Sequence, residues 1–297
     1  RICFVNSHLA AHQEGLEDRR KDHRDIIKGL SAGLSTTKHL DVTHAFDYLF
    51  WLGDLNYRID QDRADVLKGI AEKNYEELLA SDQLFREIET KNAFLDFETS
   101  RPNFPPTYKY VVGQYPREYS DEKQRIPSYT DRILWRSHIP NGVQPGELRA
   151  LDRLVTSDHS PVTQHFVLRM RRQYILSDDA FLRRRALKFQ RLISHNTTVS
   201  PSTKIKFVSG SLDGKWQTRS VRSGRWTEHE IPVLECVVGD VEFIQNFPIF
   251  FVLWDDIANK CKAQGALSLK GLGETGAALK FEVPMTHEGA SAGVLAG

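Results

Sequence analysis

The feature that most limits how this chain can fold is a change of texture near residue 170. Up to about Met170, strand-like apolar runs (ICFVN, DYLFWLGDL, DRILW, HSPVTQHFVLRM) alternate with stretches of helical period such as LEDRRKDHRDIIKGL and RADVLKGIAEKNYEELLA. That alternation is the signature of an α/β domain. From about Gln173 onward the runs are short and strand-like only (KIKFVSGS, EIPVLECVV, PIFFVLW, GALSLKGL, ALKFEVPM), broken by Gly, Pro, Asp and Ser, as in a β-sandwich. The pattern predicts two domains, 1–170 and 171–297, and 297 residues with 40% apolar content can fill both cores. Their junction, Arg169 to Arg191, carries eight Lys or Arg against two Asp. A solvated linker and helix face is the plainer reading of it. A patch leaning on an anionic membrane is the functional one, since basic charge beside a membrane gains about 1 kcal/mol per residue.

Charge and cysteine content narrow the class. Lys plus Arg number 40 against 39 Asp plus Glu, so a globally basic nucleic-acid binder is not indicated and any anion site must be local. Cys3, Cys236 and Cys261 are unclustered and odd in number, against both a disulfide framework and a structural zinc site; a reducing, cytoplasmic setting is expected. The longest apolar run, Phe247 to Trp254, is too short to cross a bilayer. The chain opens on the strand-like RICFV without an initiator Met and closes while a strand pattern is still running; it is read as an N-terminally truncated fragment of a longer protein.

The polar motifs of the first half sit where strands end, the usual place for reactive side chains on a rigid base. WLGDLNYR holds Asp54 and Asn56, PSYTDRILW holds Asp131 and Arg132, TSDHSPV holds Asp158 and His159, and NSHLAAH holds His8 and His12. Cleaving a phosphate ester with water requires an oriented water, a neutralised phosphoryl group and a stabilised leaving oxygen. Asp54 can hold or deprotonate water while Asn56 donates to a phosphate oxygen. His159 can donate to the scissile phosphate, with a buried carboxylate such as Asp131 fixing its tautomer and stabilising its charge. GDLN alone is equally a polar turn; the conjunction of the strings is what points to chemistry.

NSHLAAH, FWLGDLNYR, FPPTYKY, PSYTDRILW and TSDHSPV together resemble the inositol polyphosphate 5-phosphatases, which share the fold of exonuclease III and DNase I. The resemblance spans essentially Arg1 to Val167. It implies the C-terminal part of a DNase I-like four-layer α/β sandwich, with Asp54 as the water-activating base, Asn56 as a phosphate ligand, and His8 and His159 as phosphate contacts. Asp131 would orient His159, Arg132 would belong to the substrate set, and Asp158 would lie beside a Mg2+ ion. It further implies that Tyr108, Lys109, Lys123 and Arg125, in TYKY and DEKQR, grip the phosphate next to the scissile one, a role suited to charge-assisted donors.

The pattern departs from the family in three places. Its tryptophan-cysteine pair is Tyr129-Thr130 here, keeping an aromatic wall and a small residue. Arg20 stands where relatives often carry asparagine. The family's metal-binding glutamate is expected upstream of Arg1, so this fragment by itself is expected to be inactive. The second half resembles the C2 domain of SHIP-type 5-phosphatases, with KFEVPMTHEGASAG echoing their closing segment. VLWDDIANKCKAQG keeps Asp256 but places Trp254 and Lys262 where calcium ligands would stand. The resemblance thus implies a magnesium-dependent phosphatase acting on 4,5-bisphosphorylated inositol lipids, with or without a 3-phosphate, and on soluble inositol phosphates. The expected partners are phosphoinositides and an anionic membrane surface, with no nucleic acid and peripheral membrane association. The alternatives are a phosphoinositide-binding module without catalysis, and a nuclease or sphingomyelinase of the same fold.

Overall fold

Four consecutive side chains, Tyr48 to Trp51, are all buried, which a strand achieves only with both of its faces covered. The computed structural model describes residues 1–34, 39–170, 184–273 and 278–297. In it β1 (Ile2–Asn6), β2 (Tyr48–Asp54), β3 (Glu98–Thr99) and β4 (Asp131–Ser137) form a sheet in the order β1-β2-β4-β3. β1 runs parallel to β2, and β2 pairs antiparallel with β4 from Tyr48↔Ser137 to Asp54↔Asp131. A parallel pair needs a crossover, supplied here by α1 (Leu16–Leu34) and α2 (Val42–Ala45).

The buried residues of α1 in this region are Arg19, His23 and Ile27, one helix face at four-residue spacing. Arg19 donates to the carbonyls of Ala10 (3.0 Å) and His12 (2.7 Å) and to Gln83 Oε1 (2.7 Å), so it fixes the loop that follows β1. The His23 ring packs against Trp51 and Phe94. The single helix expected over RADVLKGIAEKNYEELLA is instead two, α3 (Arg63–Ala71) and α4 (Tyr75–Ala80), because Lys73 between them takes a positive φ of 55° that ends a right-handed helix. α5 (Gln83–Glu89) follows, capped by Asp82, whose carboxylate accepts from Phe85 N at 3.1 Å. HSPVTQHFVLRM yields two short strands, Val162–Thr163 and Phe166–Leu168.

The chain divides into two compact units: Arg1–Ile27, Phe46–Ser137 and Asn141–Arg169 in one, and Lys28–Ala45, His138–Pro140 and Met170–Gly297 in the other. The second unit carries an eight-stranded antiparallel sheet. Its order is Trp216–Gln217, Thr203–Val208, Ile249–Asp255, Lys260–Leu267, Glu282–His287, Ala290–Ala296, Arg191–His195 and Arg225–Thr227. Thr203–Val208 alternates buried and half-buried residues, the period of a strand with one face on a core. Ile205, Phe207, Phe251 and Leu253 from one part of the sheet share a single core with Trp226, Met285 and Leu295 from the other. The strand expected at GALSLKGL begins earlier, at Lys260, and ends at Leu267.

Residues 171–183 of the basic junction lie outside the described residues. Beyond them Lys188 pairs with Glu228 at 3.1 Å, Arg184 pairs with Asp213, and Arg185 donates to the Gly239 carbonyl at 2.8 Å. No helix among the described residues is long and apolar enough to cross a membrane.

Arg132 and Asp82 form a buried ion pair, with Nη1 3.0 Å from both carboxylate oxygens. Removing one partner of such a pair strands the other charge, at about 3–5 kcal/mol. Asp82→Ala, which also uncaps α5, is expected to lower unfolding free energy by at least that amount in denaturant titrations. A loss under about 1 kcal/mol would show that the pair does not hold this region together.

Candidate active site

Gly53 governs how β2 ends. Its φ is 125°, and a Cβ there would sit 2.2 Å from the Ser7 carbonyl oxygen, so only glycine lets the chain after β1 pass this close. Ser7 N then bonds Leu52 O and Leu9 N bonds Asp54 O, both at 3.0 Å. This brings His8 beside Asp54, Nε2 to Oδ2 3.4 Å.

An extended segment, Thr107 to Tyr110, gathers the remaining motifs by backbone bonds. Tyr108 O accepts from Ser128 N (2.9 Å), Thr107 O from Ser160 N (2.9 Å), and Tyr110 N donates to Asp158 O (2.8 Å). His159 is thereby held with Nδ1 2.8 Å from Asp131 Oδ2 and Nε2 4.0 Å from Asp54 Oδ2, its ring 4.6 Å from that of Tyr108. Asp54, Asp131, His159 and His8 converge. Asn56 adjoins them, its φ positive and its side chain turned inward: Nδ2 donates to Leu9 O at 3.0 Å, and Oδ1 accepts from Arg58.

The electrostatics follow from the crowding. Burial, and then the neighbouring Asp131 charge, push the Asp54 carboxyl above the usual carboxylate range, only partly offset by His159, the Asn56 N–H and His8. Burial alone would lower His159, but its hydrogen bond and ion pair with Asp131, aided by Asp54 and Asp158, outweigh it and raise the imidazole.

The cationic residues cluster around Glu122. Lys109 Nζ lies 2.6 Å from its Oε2. The Glu122 carboxyl is held below its usual range by that bond first, and also by the charges of Lys123 and Arg125. Arg125 Nη1 is 3.3 Å from His12 Nδ1, so the DEKQR string reaches the loop after β1. Tyr108, Lys109, Lys123 and Arg125 are thus neighbours.

Two expectations need correction. Arg132 is 3% exposed and committed to Asp82, away from the convergent set. Tyr129 is core, packed with Ile59, Val66, Leu78 and Leu79 and bonded to the Phe104 carbonyl, rather than a pocket wall. Asp158 faces Lys109 Nζ at 3.7 Å, and among the described residues no group of three or more His, Cys, Asp or Glu is placed to hold a metal ion. The residues present do not by themselves fit a magnesium ion. Arg20, the second departure from the family pattern, bonds buried Glu87 at 2.7 Å.

Arg58 and Thr107 were not legible as site residues in the sequence. Arg58 is buried, which lowers its pKa; it donates to the Asn56 carbonyl at 3.0 Å and lies over the Tyr108 ring at 4.9 Å. Its place inside GDLNYR was the available signal.

Sequence comparison places the chain in a family: it belongs to endonuclease/exonuclease/phosphatase family 2, whose profile matches residues 1–165. It is 31% identical over 321 residues to phosphatidylinositol 3,4,5-trisphosphate 5-phosphatase 2 of Homo sapiens, covering 99% of this chain and 25% of that protein. To phosphatidylinositol 3,4,5-trisphosphate 5-phosphatase 1 of Mus musculus it is 27% identical over 312 residues, 98% of this chain and 26% of the other. The chain therefore spans about a quarter of the length of these relatives. Among solved structures, the inositol polyphosphate 5-phosphatase domain of spsynaptojanin with inositol (1,4)-bisphosphate and calcium is 31% identical, covering 56% of this chain and 48% of that one with a TM-score of 0.46.

His159 is expected to titrate above the ordinary imidazole range by NMR, and Asp131→Asn to bring it down. Because the folded value is raised, this ion pair stabilises the fold at low pH, and the contribution is lost as pH rises from the ordinary imidazole value through the raised one. An unchanged titration in Asp131→Asn would break the assigned coupling.

Proposed function

We propose that this chain carries the reacting centre of a phosphoinositide 5-phosphatase, removing the 5-phosphate from phosphatidylinositol 4,5-bisphosphate, the 3,4,5-trisphosphate, or their soluble headgroups. The observation that carries the reading is the placement of the Asp54–His159–Asp131 group beside the Tyr108, Lys109, Lys123 and Arg125 cluster. The first can act on one phosphate while the second holds its neighbour on the ring.

In this reading His159 Nε2 donates to an oxygen of the scissile phosphate, its positive charge balanced through Nδ1 by Asp131. Asp54, made more basic by burial and by Asp131, takes a proton from the attacking water. Lys109 exchanges exposed Glu122 for the adjacent phosphate, a cheap exchange because exposed pairs contribute roughly 0–1 kcal/mol. A diester linking two nucleosides offers no such monoester, which favours an inositol phosphate over DNA. Magnesium, which the family resemblance implies, has an incomplete donor set here, and the reading rests on the carboxylate–imidazole group.

Membrane association is part of the same proposal. Val112 and Tyr115, 59% and 60% exposed, stand on the loop leading from Lys109, bonded to the His159 loop through Gly113 N and Val155 O at 2.7 Å; an apolar tip there suits a lipid substrate. The second unit is read as a C2-like module that does not depend on calcium, since Asp256 is paired with Lys204 at 2.6 Å and Asp255 lies 3.6 Å from Lys262.

In the full-length protein, Asp54→Ala or His159→Ala is expected to lower turnover by roughly 100-fold or more without loss of fold. Near-native turnover would remove the residue from the chemistry. Lys109→Ala with Arg125→Ala is expected to cut activity on a 4,5-bisphosphate by about 10- to 1000-fold, and far less on a substrate without the 4-phosphate. Equal losses on both would place the pair elsewhere, and rapid DNA cleavage would move the protein to the nuclease branch.

The pH profile has a determined sign. Asp54 must be ionised and its carboxyl is raised, so the acidic limb falls above the usual carboxylate range. His159 must be protonated and is raised, so activity persists above the usual imidazole range. A steady-state profile bounded by the ordinary values of both groups would contradict these assignments.

A further inference from the structure

Asp131 is held by more than His159. Its Oδ2 also accepts from Thr107 Oγ1 at 3.1 Å and from Thr130 Oγ1 at 3.0 Å. Both threonines are fully buried, and a half-buried carboxylate oxygen that loses such donors is costly. Thr130 is further tied to the end of β2, its carbonyl accepting from Leu55 N at 2.8 Å. Its hydroxyl touches one carboxylate of the site while its backbone anchors the chain beside the other.

A threonine hydroxyl has one proton and two lone pairs. Once the Thr130 proton is given to Asp131, only lone pairs remain to face His159 Nδ1, 3.4 Å away. Those lone pairs repel a bare Nδ1 and accept an Nδ1–H. Asp131 Oδ2, at 2.8 Å, makes the same demand. Two groups therefore require a proton on Nδ1, which leaves Nε2 as the atom turned toward Asp54. We propose that Thr130, assisted by Thr107, is a positioning residue that fixes the Asp131 carboxylate and locks the Nδ1 proton of His159, acting on the reaction only through that pair.

The hydroxyl rather than the size of the side chain is the element at work. Valine has the same shape without the donor, and serine keeps the donor in a smaller side chain. With two carboxylates opposed across a strand pair, Asp54↔Asp131, an Asp131 freed of one donor can swing away from His159.

The test has two arms, because the kinetic one rests on the phosphatase reading and the other does not. In the first, Thr130→Val in the full-length protein is expected to lower kcat on phosphatidylinositol 4,5-bisphosphate vesicles about 10- to 100-fold, the loss of one bond to a charged group, with KM within about twofold and Thr130→Ser close to wild type. In an Asp131→Asn background Thr130→Val is expected to add less than about threefold, since its partner is already gone. Wild-type kcat in Thr130→Val, or an equal loss in both backgrounds, overturns the proposal. In the second arm, the 1H NMR spectrum of the protein without substrate at fixed pH is expected to show a downfield, hydrogen-bonded His159 Nδ1 proton in wild type and Thr130→Ser, and to lose it in Thr130→Val. Retention of that resonance in Thr130→Val refutes the lock. If Thr130→Val does not fold, Thr107→Val carries the same NMR expectation in weaker form, a broadened signal against an unchanged one. A protein that releases no phosphate but shows this NMR behaviour would retain the lock and lose the phosphatase assignment.

Discussion

The antiparallel register of β2 with β4 places Asp54 opposite Asp131, and much of the site is a response to that juxtaposition. Two carboxylates side by side in a partly buried place repel, and burial penalises both charges. The structure answers asymmetrically. Asp131 receives three donors on one oxygen, while Asp54 is bonded by the Asn56 N–H and left with a raised pKa beside His8 and His159. The two carboxylates thus differ in environment rather than in residue type.

Much of this frame was legible in the sequence, because element type depends on local pattern. The apolar run of β2 and a helix over LEDRRKDHRDIIKGL appear where expected, and the four motifs that hold Asp54, Asp131, His159 and His8 meet in space. The misplacement of Arg132 has direction as its cause. Consecutive residues of a strand point to opposite faces, so when Asp131 turns to the site, Arg132 must turn away from Asp131, and it ends in the pair with Asp82. Reading PSYTDRILW as a block of site residues ignores that alternation; Tyr129 precedes the strand and packs into the core with Ile59, Val66, Leu78 and Leu79.

Thr107 and Arg58 illustrate a second limit. Neither residue type announces chemistry, and each matters through a partner distant in sequence: Thr107 through Asp131, Arg58 through the ring of Tyr108. Such roles are fixed by tertiary packing and have no local signature. The same holds for Glu122, an exposed acid that proves to be the counter-ion around which the cationic residues gather. A chain with nearly balanced charge can thus carry a local cationic cluster.

The most direct measurement of the central claim follows the atoms. Hydrolysis of inositol 1,4,5-trisphosphate by the full-length protein in 18O-labelled water, with product position read by NMR and label by mass spectrometry, reports both which phosphate leaves and what attacks it. The account predicts inositol 1,4-bisphosphate and inorganic phosphate carrying one labelled oxygen from water. Loss of the 4-phosphate, or label retained in the ring oxygen of the product, would contradict it.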